Sequence, residues 1–334
     1  MKSTSLSGRV GNHRWLAAPI FICLLMLGAG ISTHALGGPS PFDLLDDYFR
    51  GSMVVTLTAL MIWVFYRTLQ LAYARELEPT RSLWTELKTK LPMQVLPLIV
   101  FPVFLASFTA TKSAILPLVG FRFDHTFANL DKAVFATDPW RITHSMFGPL
   151  STGVIQAIYV PIWVAALAYS QSLITFFGTI RTIGVFYTAM LLTWFAGGFV
   201  TAYLLSAAGP IFSHLIDAKL GSRFEPLKDR LANLLDAEAP FLKGPQYLLE
   251  GVSSPQAYYG GGISAMPSMH VAAVTIFVLA ARRTAWFIPS CVFAAAIVVG
   301  SIHSGYHYAI DAPVAAIIAY ASWQLAERWT PTSL

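Results

Sequence analysis

The sequence predicts an all-α polytopic membrane protein with about eight transmembrane helices. Of its 334 residues, 55% are hydrophobic and only 12% are charged, and the mean hydropathy is +0.59. A typical soluble domain carries about 25% charged residues, so this composition argues against that class. A helix needs roughly 20 apolar residues to cross a bilayer, and apolar runs cover most of this chain. The predicted spans are 15–34, 53–74, 95–111, 150–171, 183–206, 269–281, 286–303 and 308–326.

Two of these spans have alternative interpretations. The sixth, 269–281, is short enough to be a buried helix or a re-entrant segment. It begins directly after a polar motif, where a helix opening into a polar site is expected, so we predict a span. The first could be a signal peptide, since a basic start and an apolar stretch precede Thr33-His34-Ala35, which loosely resembles a cleavage site. The stretch is long for a signal peptide, and the remaining topology is the same in either case.

Lys and Arg residues are distributed unevenly between the loops. With the N-terminus inside, one side carries twelve cations against four Glu, a net charge of +8, and the other carries ten cations against twelve carboxylates. Positive loops stay in the cytoplasm, so we predict cytoplasmic termini and outward-facing loops at 112–148 and 207–267. Anchoring at anionic headgroups explains the excess positive charge and disfavours nucleic-acid binding. The compact chain and short inner loops favour a bacterial inner membrane.

Both long outer segments show helical periodicity. In 121–141 the apolar residues recur near helical spacing and the charged residues lie elsewhere, which predicts an amphipathic helix in the membrane interface. Segment 213–249 is predicted to be partly helical, interrupted by Pro226 and Pro240. Small residues in the seventh and eighth spans predict that these two helices pack together. The apolar positions of the first segment are Phe123, Phe127, Leu130, Ala133 and Val134.

Two polar motifs lie at the outer ends of spans six to eight, where ionisable side chains are costly and usually mark a function. They read Gly260-Gly-Gly-Ile-Ser-Ala-Met-Pro-Ser-Met-His270 and His303-Ser-Gly-Tyr-His-Tyr-Ala-Ile-Asp311. Pro267 and Ser268 are typical of a helix start, whose free N–H groups attract anions such as phosphate. His270, in the first turn, is then placed to give a proton to a departing oxygen.

His307 and Asp311 are four residues apart, which predicts one face of a helix that begins near Tyr306. The carboxylate would accept a hydrogen bond from one ring nitrogen, fix the tautomer and make the other nitrogen a better nucleophile. A phosphohistidine intermediate fits this arrangement. Two alternatives stay open: each group alone could be structural, or His303, His307 and Asp311 could bind a metal from one helical face, although Gly305 interrupts that helix.

The pair Pro267-Ser268-Met269-His270 and His307-Tyr308-Ala309-Ile310-Asp311 resembles the second and third motifs of the type 2 phosphatidic acid phosphatase superfamily. Within that superfamily, the residues Met-Pro-Ser-Met-His and His-Tyr-x-x-Asp are most similar to the motifs of the inositol phosphorylceramide synthases and sphingomyelin synthases. The resemblance covers 95–326 and implies a six-helix core with its site at the outer face. It further implies His307 as nucleophile, Asp311 orienting it, His270 as general acid, and no metal or cofactor.

Two features of that superfamily have no match here. Ser301 stands where the superfamily carries an Arg six residues before the nucleophilic His, and its Lys-x6-Arg-Pro motif is missing. Other cations must therefore contact phosphate. We rank Lys112 first because it ends a span at the depth of the site, and Arg223 is a further candidate from the outer loops. The remaining predicted substrate-binding residues are Ser268, His303 and Tyr306.

These observations predict a membrane lipid phosphatase or phosphotransferase that acts on a lipid phosphate or phospholipid at the outer face. Water as acceptor makes it a phosphatase, and a polyol such as inositol makes it a transferase. Of the two, the closer motif match favours lipid phosphotransfer with a polyol headgroup. The predicted organisation is an N-terminal cytoplasmic segment with two peripheral helices (1–94), a six-helix catalytic domain (95–326) and a cytoplasmic tail (327–334). The alternatives are a transporter that relays protons through His and Asp and an inactive lipid-binding scaffold.

Overall fold

The computed structural model describes residues 13–253 and 258–330, and within these ranges the fold is all-helical. Residues 1–12 of the predicted cytoplasmic segment and 331–334 of the predicted tail lie outside the described part. In chain order the α-helices are α1 (Ala17–Ala35), α2 (Leu45–Tyr73), α3 (Pro79–Lys90), α4 (Phe101–Ser113), α5 (Ile115–Val119), α6 (Asp124–Phe135), α7 (Pro139–Met146), α8 (Pro149–Ala157), α9 (Trp163–Phe177), α10 (Ile180–Thr193), α11 (Ala202–Leu204), α12 (Ala218–Leu234), α13 (Pro240–Ser253), α14 (Met269–Ala281), α15 (Phe287–His303) and α16 (Asp311–Trp329).

Several helical segments are long and apolar enough to cross a membrane, so the chain is an integral membrane protein. They overlap the first five predicted spans, although the segment Pro79–Val119 extends well beyond the predicted 95–111. The sixth and seventh correspond to the shorter apolar helices α14 and α15 and the eighth to α16, so the count of eight spans stays a prediction. The five long segments in the described ranges are Ala17–Ala35, Leu45–Tyr73, Pro79–Val119, Pro149–Phe177 and Ile180–Leu204.

Wider π-helical turns interrupt three of the long spans. Pro97 and Pro161 lie in two of them, and because proline has no N–H the regular hydrogen-bond ladder must shift there. The third contains Gly198, where an added Cβ would lie 2.5 Å from the ring of Phe108. The first two turns therefore have a local sequence cause, and at the third the missing side chain lets Phe108 pack against the backbone. The turns span Leu96–Val100, Ile158–Ile162 and Trp194–Thr201.

One hydrophobic core joins the first helix to the helices that carry the motifs. Helix α1 packs against α4 and α10, and α10 packs against α14 and α16. Met26 of α1, Tyr187 of α10 and Val274 of α14 belong to the same buried cluster. The first span, which we predicted to be peripheral, thus contributes to the central core, while the division of the chain after residue 94 stays a prediction.

Helix α14 packs against both α15 and α16. The sequence predicts that the small residues of α15 and α16 pack on one another. In the structure they lie instead where these two helices meet other parts of the chain. Gly300 of α15 lies against Tyr159, since an added Cβ would be 2.8 Å from that ring. Ala315 and Ala319 of α16 are fully buried on a helix that packs against α10 and α14. In both cases the absence of a large side chain allows the close approach.

The predicted helix in 121–141 is present, but its buried face carries two carboxylates as well as apolar side chains. Helix α6 buries Asp124 and Asp131 together with Phe127, while Leu130 and Val134 are 43% and 69% exposed. Buried carboxylates need hydrogen-bond donors, and the protein interior supplies them here. In segment 213–249, helix α12 runs through Pro226 without a break, whereas Pro240 begins α13 as predicted.

Candidate active site

His307 is held in one tautomer by its hydrogen bonds. Its Nδ1 atom lies 2.7 Å from the carbonyl oxygen of Ala265 and 3.3 Å from Oδ2 of Asp311. Both partners are acceptors, so Nδ1 carries the proton and donates it, and Nε2 keeps its lone pair. Burial lowers the pKa of His307 to about 4, and the nearby charge of Lys112 also lowers it. At neutral pH the ring is therefore uncharged with a free Nε2, as a nucleophile requires.

The segment around His307 is not the helix that the sequence predicted. Helix α15 ends at His303, α16 begins at Asp311, and Gly305 between them has a φ of 71°. The His307 N–H instead bonds the carbonyl oxygen of Ser301 at 3.2 Å. His307 and Asp311 still meet, because the turn before α16 brings residues four apart together. The prediction of a helix from near Tyr306 is wrong, while the predicted contact between the two side chains is present.

His270 lies in the first turn of α14 with its ring fixed between two aromatic rings. Its centroid is 4.3 Å from that of Tyr159 and 3.9 Å from that of Trp163. The Trp163 indole N–H also donates to the His270 carbonyl oxygen at 3.2 Å. The rings of His270 and His307 are 6.1 Å apart at their centroids, so one phosphoryl group can contact both.

Lys112, at the end of α4, interacts electrostatically with the rings of both His270 and His307. Gly262 of the glycine-rich motif packs directly on it, since an added Cβ there would lie 2.7 Å from the Lys112 carbonyl carbon. In the described ranges no carboxylate pairs with its ammonium group, and the side chain is partly buried. A partly buried cation without a counter-charge is unfavourable unless an anion binds there.

The sequence signature of the PAP2 superfamily matches residues 149–325, which include α14, α15 and both motifs. The chain belongs to the PAP2 superfamily. Membership indicates phosphatase-type chemistry on phosphate esters. A search of curated proteins and a search of solved structures each return no significant match. Lys112 and helices α1 to α7 precede the region that this PAP2 signature covers.

Two of the predicted substrate-binding residues lie beside the histidines. Ser268 caps α14 as expected, and its hydroxyl accepts the Val271 N–H at 3.4 Å. Tyr306 stacks near Tyr159, with ring centroids 6.3 Å apart. Its hydroxyl lies against α13, because a Cβ added at Gly244 would clash with that oxygen. Helix α13 therefore closes over this side of the site.

The structure places Arg223 in an ion pair rather than beside the two histidines. Its guanidinium donates to Oδ1 of Asp138 at 2.6 and 2.9 Å, to Oδ1 of Asn129 at 2.9 Å and to the Ala128 carbonyl oxygen at 2.7 Å. These bonds join α12 to the middle of α6 and to the residue that precedes α7. Arg223 is thus already neutralised by protein groups, unlike Lys112.

His303 belongs to a separate buried cluster with His144 of α7. Its Nε2 lies 3.0 Å from the Thr152 hydroxyl and its Nδ1 lies 3.2 Å from the Thr143 hydroxyl. The His144 Nε2–H donates to the His303 carbonyl oxygen at 2.8 Å, and the centroids of the two imidazole rings are 4.0 Å apart. The predicted helical face of His303, His307 and Asp311 does not form, since the chain leaves the helix after His303.

In the described part of the chain, no three His, Cys, Asp or Glu side chains are grouped as metal ligands would be. The side chains around His307 are instead arranged for hydrogen bonding. Asp311 is fully buried, and its Oδ2 accepts the Tyr308 N–H at 2.9 Å as well as the His307 ring proton. This carboxylate orients the ring and begins α16.

Sequence reasoning missed three groups that build the site. The Ala265 carbonyl oxygen is the nearer acceptor for His307, but a backbone atom leaves no signature in residue type. Asp124 and Asp131 bind the loop that follows His307, although both precede the region of the PAP2 signature. Burial raises the pKa of each of these two carboxyls, while two backbone N–H bonds to each oppose the rise. Their spacing of seven, which places two acids on one helical face, was the available signal.

Proposed function

We propose that this PAP2 protein is a metal-independent lipid phosphatase or phosphotransferase that works through a phosphohistidine at His307. The observation that carries the proposal is the His307 ring itself. Its Nδ1 proton is hydrogen-bonded to the Ala265 carbonyl oxygen and to Asp311. Its Nε2 lone pair is therefore free to attack a phosphoryl group bound near His270 and Lys112.

In the first half-reaction, His307 Nε2 attacks phosphorus and the bond from phosphorus to the leaving oxygen breaks. His270 gives its proton to that oxygen. Lys112 and the N–H groups at the start of α14 stabilise the negative charge that develops on the phosphoryl oxygens. The bound phosphate anion also stabilises a proton on His270, because opposite charges in contact attract each other strongly where little water screens them.

In the second half-reaction, an acceptor hydroxyl attacks the phosphohistidine, His270 takes its proton, and the nitrogen–phosphorus bond breaks to regenerate neutral His307. With water the products are the leaving alcohol and phosphate. With a polyol such as inositol, the product is a new phosphodiester if the transferred group carries a headgroup. The Met-Pro-Ser-Met-His and His-Tyr-x-x-Asp wording supports the inositol phosphorylceramide synthase-like branch.

A lipid is the proposed substrate because the two motifs lie at ends of apolar helices, and the ends of helices that cross a bilayer lie close to the phospholipid headgroups. The loop charges support cytoplasmic termini and a site at the periplasmic face of a bacterial inner membrane. Residues 95–326 are the proposed catalytic unit, with Ser268 and Tyr306 lining the substrate site.

The test is release of phosphate or headgroup from a panel of lipid phosphates by the purified wild type, His307→Ala and His270→Ala, with EDTA and with added myo-inositol. We expect turnover that both substitutions abolish and that EDTA leaves unchanged. A new inositol-containing lipid would identify a transferase. Activity that survives His307→Ala would remove the proposed nucleophile, EDTA-sensitive turnover would require a metal, and silence across the panel would favour a transporter or a scaffold.

A further inference from the structure

Two buried carboxylates of α6 bind the loop that follows His307. Asp131 accepts the Ala309 N–H through Oδ2 at 2.7 Å and the Ile310 N–H through Oδ1 at 3.0 Å. Asp124 accepts the Tyr308 hydroxyl proton at 2.9 Å. Asp124 also binds the N–H groups of residues 208 and 209, at 2.9 to 3.1 Å. Helix α6 thereby connects the segment after α11 to the loop between α15 and α16.

Each backbone N–H between His307 and Asp311 ends on a carboxylate. The Tyr308 N–H bonds Asp311, and the next two bond Asp131. These donors precede α16 and have no helical carbonyl partner, so a polar group from elsewhere must satisfy them when they are buried. Asp131 uses one oxygen for each of two consecutive N–H groups, which fixes the loop in both position and direction.

The position of this loop decides whether Asp311 reaches His307. The Asp311 carboxylate is 3.3 Å from Nδ1 at one end of the loop, and the Asp131 contacts lie on the two residues just before Asp311. A shift of the loop by even 1 Å would lengthen this bond beyond hydrogen-bond range. The ring would then be held by Ala265 alone.

We infer that Asp131, with Asp124 two turns earlier on α6, is a positioning residue that holds Asp311 against the nucleophilic ring from outside the region of the PAP2 signature. The inference rests on the proposed role of His307. It assigns to the outer segment 121–141 a part in the phosphotransfer reaction. Neither carboxylate touches the reacting atoms, so both act through the loop and Asp311.

Asp131→Asn is the direct test. The amide replaces one acceptor oxygen by an NH₂ group that faces a backbone N–H, so one of the two loop bonds is lost. Misplacement of a catalytic group by about 1 Å can lower the rate by about 100-fold. We therefore expect kcat on a substrate of the wild type to fall about 10- to 100-fold, with KM changed less than about threefold. Asp131→Glu, which keeps the carboxylate, should recover part of the loss.

The matched control is Asp217→Asn. Asp217 precedes α12 and caps it by accepting the Leu220 N–H at 2.7 Å, and it also pairs with His125 of α6. Unlike Asp131, it has no bond to the loop that follows His307. The substitution Asp217→Asn should lower the melting temperature and leave kcat within about twofold of the wild-type value. Equal losses of kcat in Asp131→Asn and Asp217→Asn would show that loosening of the outer layer, rather than loop position, is responsible, and would overturn the inference.

A second measurement does not depend on any substrate. In protein labelled with ¹⁵N-histidine, the His307 resonances, assigned by their loss in His307→Ala, report which ring nitrogen carries the proton. We expect an Nδ1–H ring in the wild type and, in Asp131→Asn, a larger fraction of the Nε2–H tautomer, because the Ala265 carbonyl is then the only acceptor left for the Nδ1 proton. Tyr308→Phe, which removes only the hydroxyl bonded to Asp124, is the variant least able to disturb folding and should shift the mixture in the same direction.

The outcomes separate this inference from the proposed function. If the wild type turns over no substrate but the tautomer shifts as expected, positioning stands and the proposed function fails. If the wild type is active and Asp131→Asn and Tyr308→Phe both keep the wild-type kcat and tautomer, positioning fails and the proposed function stands.

Discussion

The carbonyl oxygen of Ala265 lies closer to the Nδ1 atom of His307 than Asp311 does, at 2.7 Å against 3.3 Å. Two acceptors therefore share one ring proton. The carbonyl belongs to the segment just before α14, so the motif that carries His270 also orients His307. The two motifs are joined by this bond as well as by the substrate that they would share.

Because Ala265 still accepts the ring proton, we expect Asp311→Asn to be less damaging than loss of the nucleophile. Removing a carboxylate that orients a metal-bound histidine typically lowers activity by about 10- to 100-fold, and we expect a similar loss here. A carboxylate that alone fixes the tautomer is worth about 10⁴ in kcat. We predict a 10- to 100-fold lower kcat for Asp311→Asn, measured beside His307→Ala. Equal activities of the two variants would mean that the Ala265 bond does not hold the tautomer.

The lowered pKa of His307 predicts unusual activity at acid pH. The nucleophile must be neutral, and its pKa of about 4 keeps it neutral below the ordinary value of 6.5. The acid limb of kcat/KM should therefore lie near pH 4 to 5. A soluble short-chain substrate and a pH series would measure it. An acid limb near pH 6.5 would indicate that the His307 ring is exposed to water and has an ordinary pKa.

The same shift predicts how stability changes with pH. Above pH 6.5 the His307 ring is neutral in both the folded and the unfolded chain. As the pH falls from 6.5 toward 4, the unfolded chain binds a proton that the folded ring does not, so this residue's contribution to stability is lost over that window. Thermal unfolding of His307→Gln should show a weaker loss of stability than the wild type between these pH values.

Helical periodicity and motif spacing predicted the parts of this protein that depend on local sequence. The five long spans, the start of α14 at Ser268 and the contact of His307 with Asp311 follow from residue type and spacing. The loop before α16 could not be predicted in the same way. Its N–H groups bond Asp131, about 180 residues earlier in the chain, and this tertiary contact overrides the local preference for an earlier helix start.

The choice among polar candidates also depended on tertiary contacts. By residue type and predicted position alone, His303 and Arg223 resemble His270 and Lys112, although the motif match favours His270 and the end of a span favours Lys112. Only the fold shows that Arg223 pairs with Asp138 and that His303 faces Thr143 and Thr152. The partners of a polar side chain, rather than its type, separate a structural role from a site role.

His303→Ala should therefore act on stability. The substitution removes a buried ring and its bonds to two hydroxyls, and large-to-small changes in a core usually cost about 2 to 5 kcal/mol. We expect a lower melting temperature and, for the folded fraction at low temperature, a kcat within about threefold of wild type. A variant that melts like the wild type but has lost activity would return His303 to the substrate site.

The comparison of Lys112→Met with Arg223→Met tests which cation meets phosphate. Lys112 is close to both histidines and has no carboxylate partner in the described ranges, whereas Arg223 already pairs with Asp138. A hydrogen bond to a charged group is worth about 1.5 to 3 kcal/mol, so loss of Lys112 should lower kcat/KM by about 10- to 150-fold. Inhibition by inorganic phosphate should weaken in parallel.

Arg223→Met should lower the melting temperature instead, because it leaves the buried Asp138 with only the more distant Arg141, at 3.7 Å. Lys112→Arg controls for charge and should retain more activity than Lys112→Met. Lys112→Met should also move the acid limb of kcat/KM upward, since the Lys112 charge helps to lower the pKa of His307. If Arg223→Met weakens phosphate inhibition and Lys112→Met does not, the outer arginine takes the place of the superfamily's missing Arg, and the site must open toward α12 to let phosphate reach it.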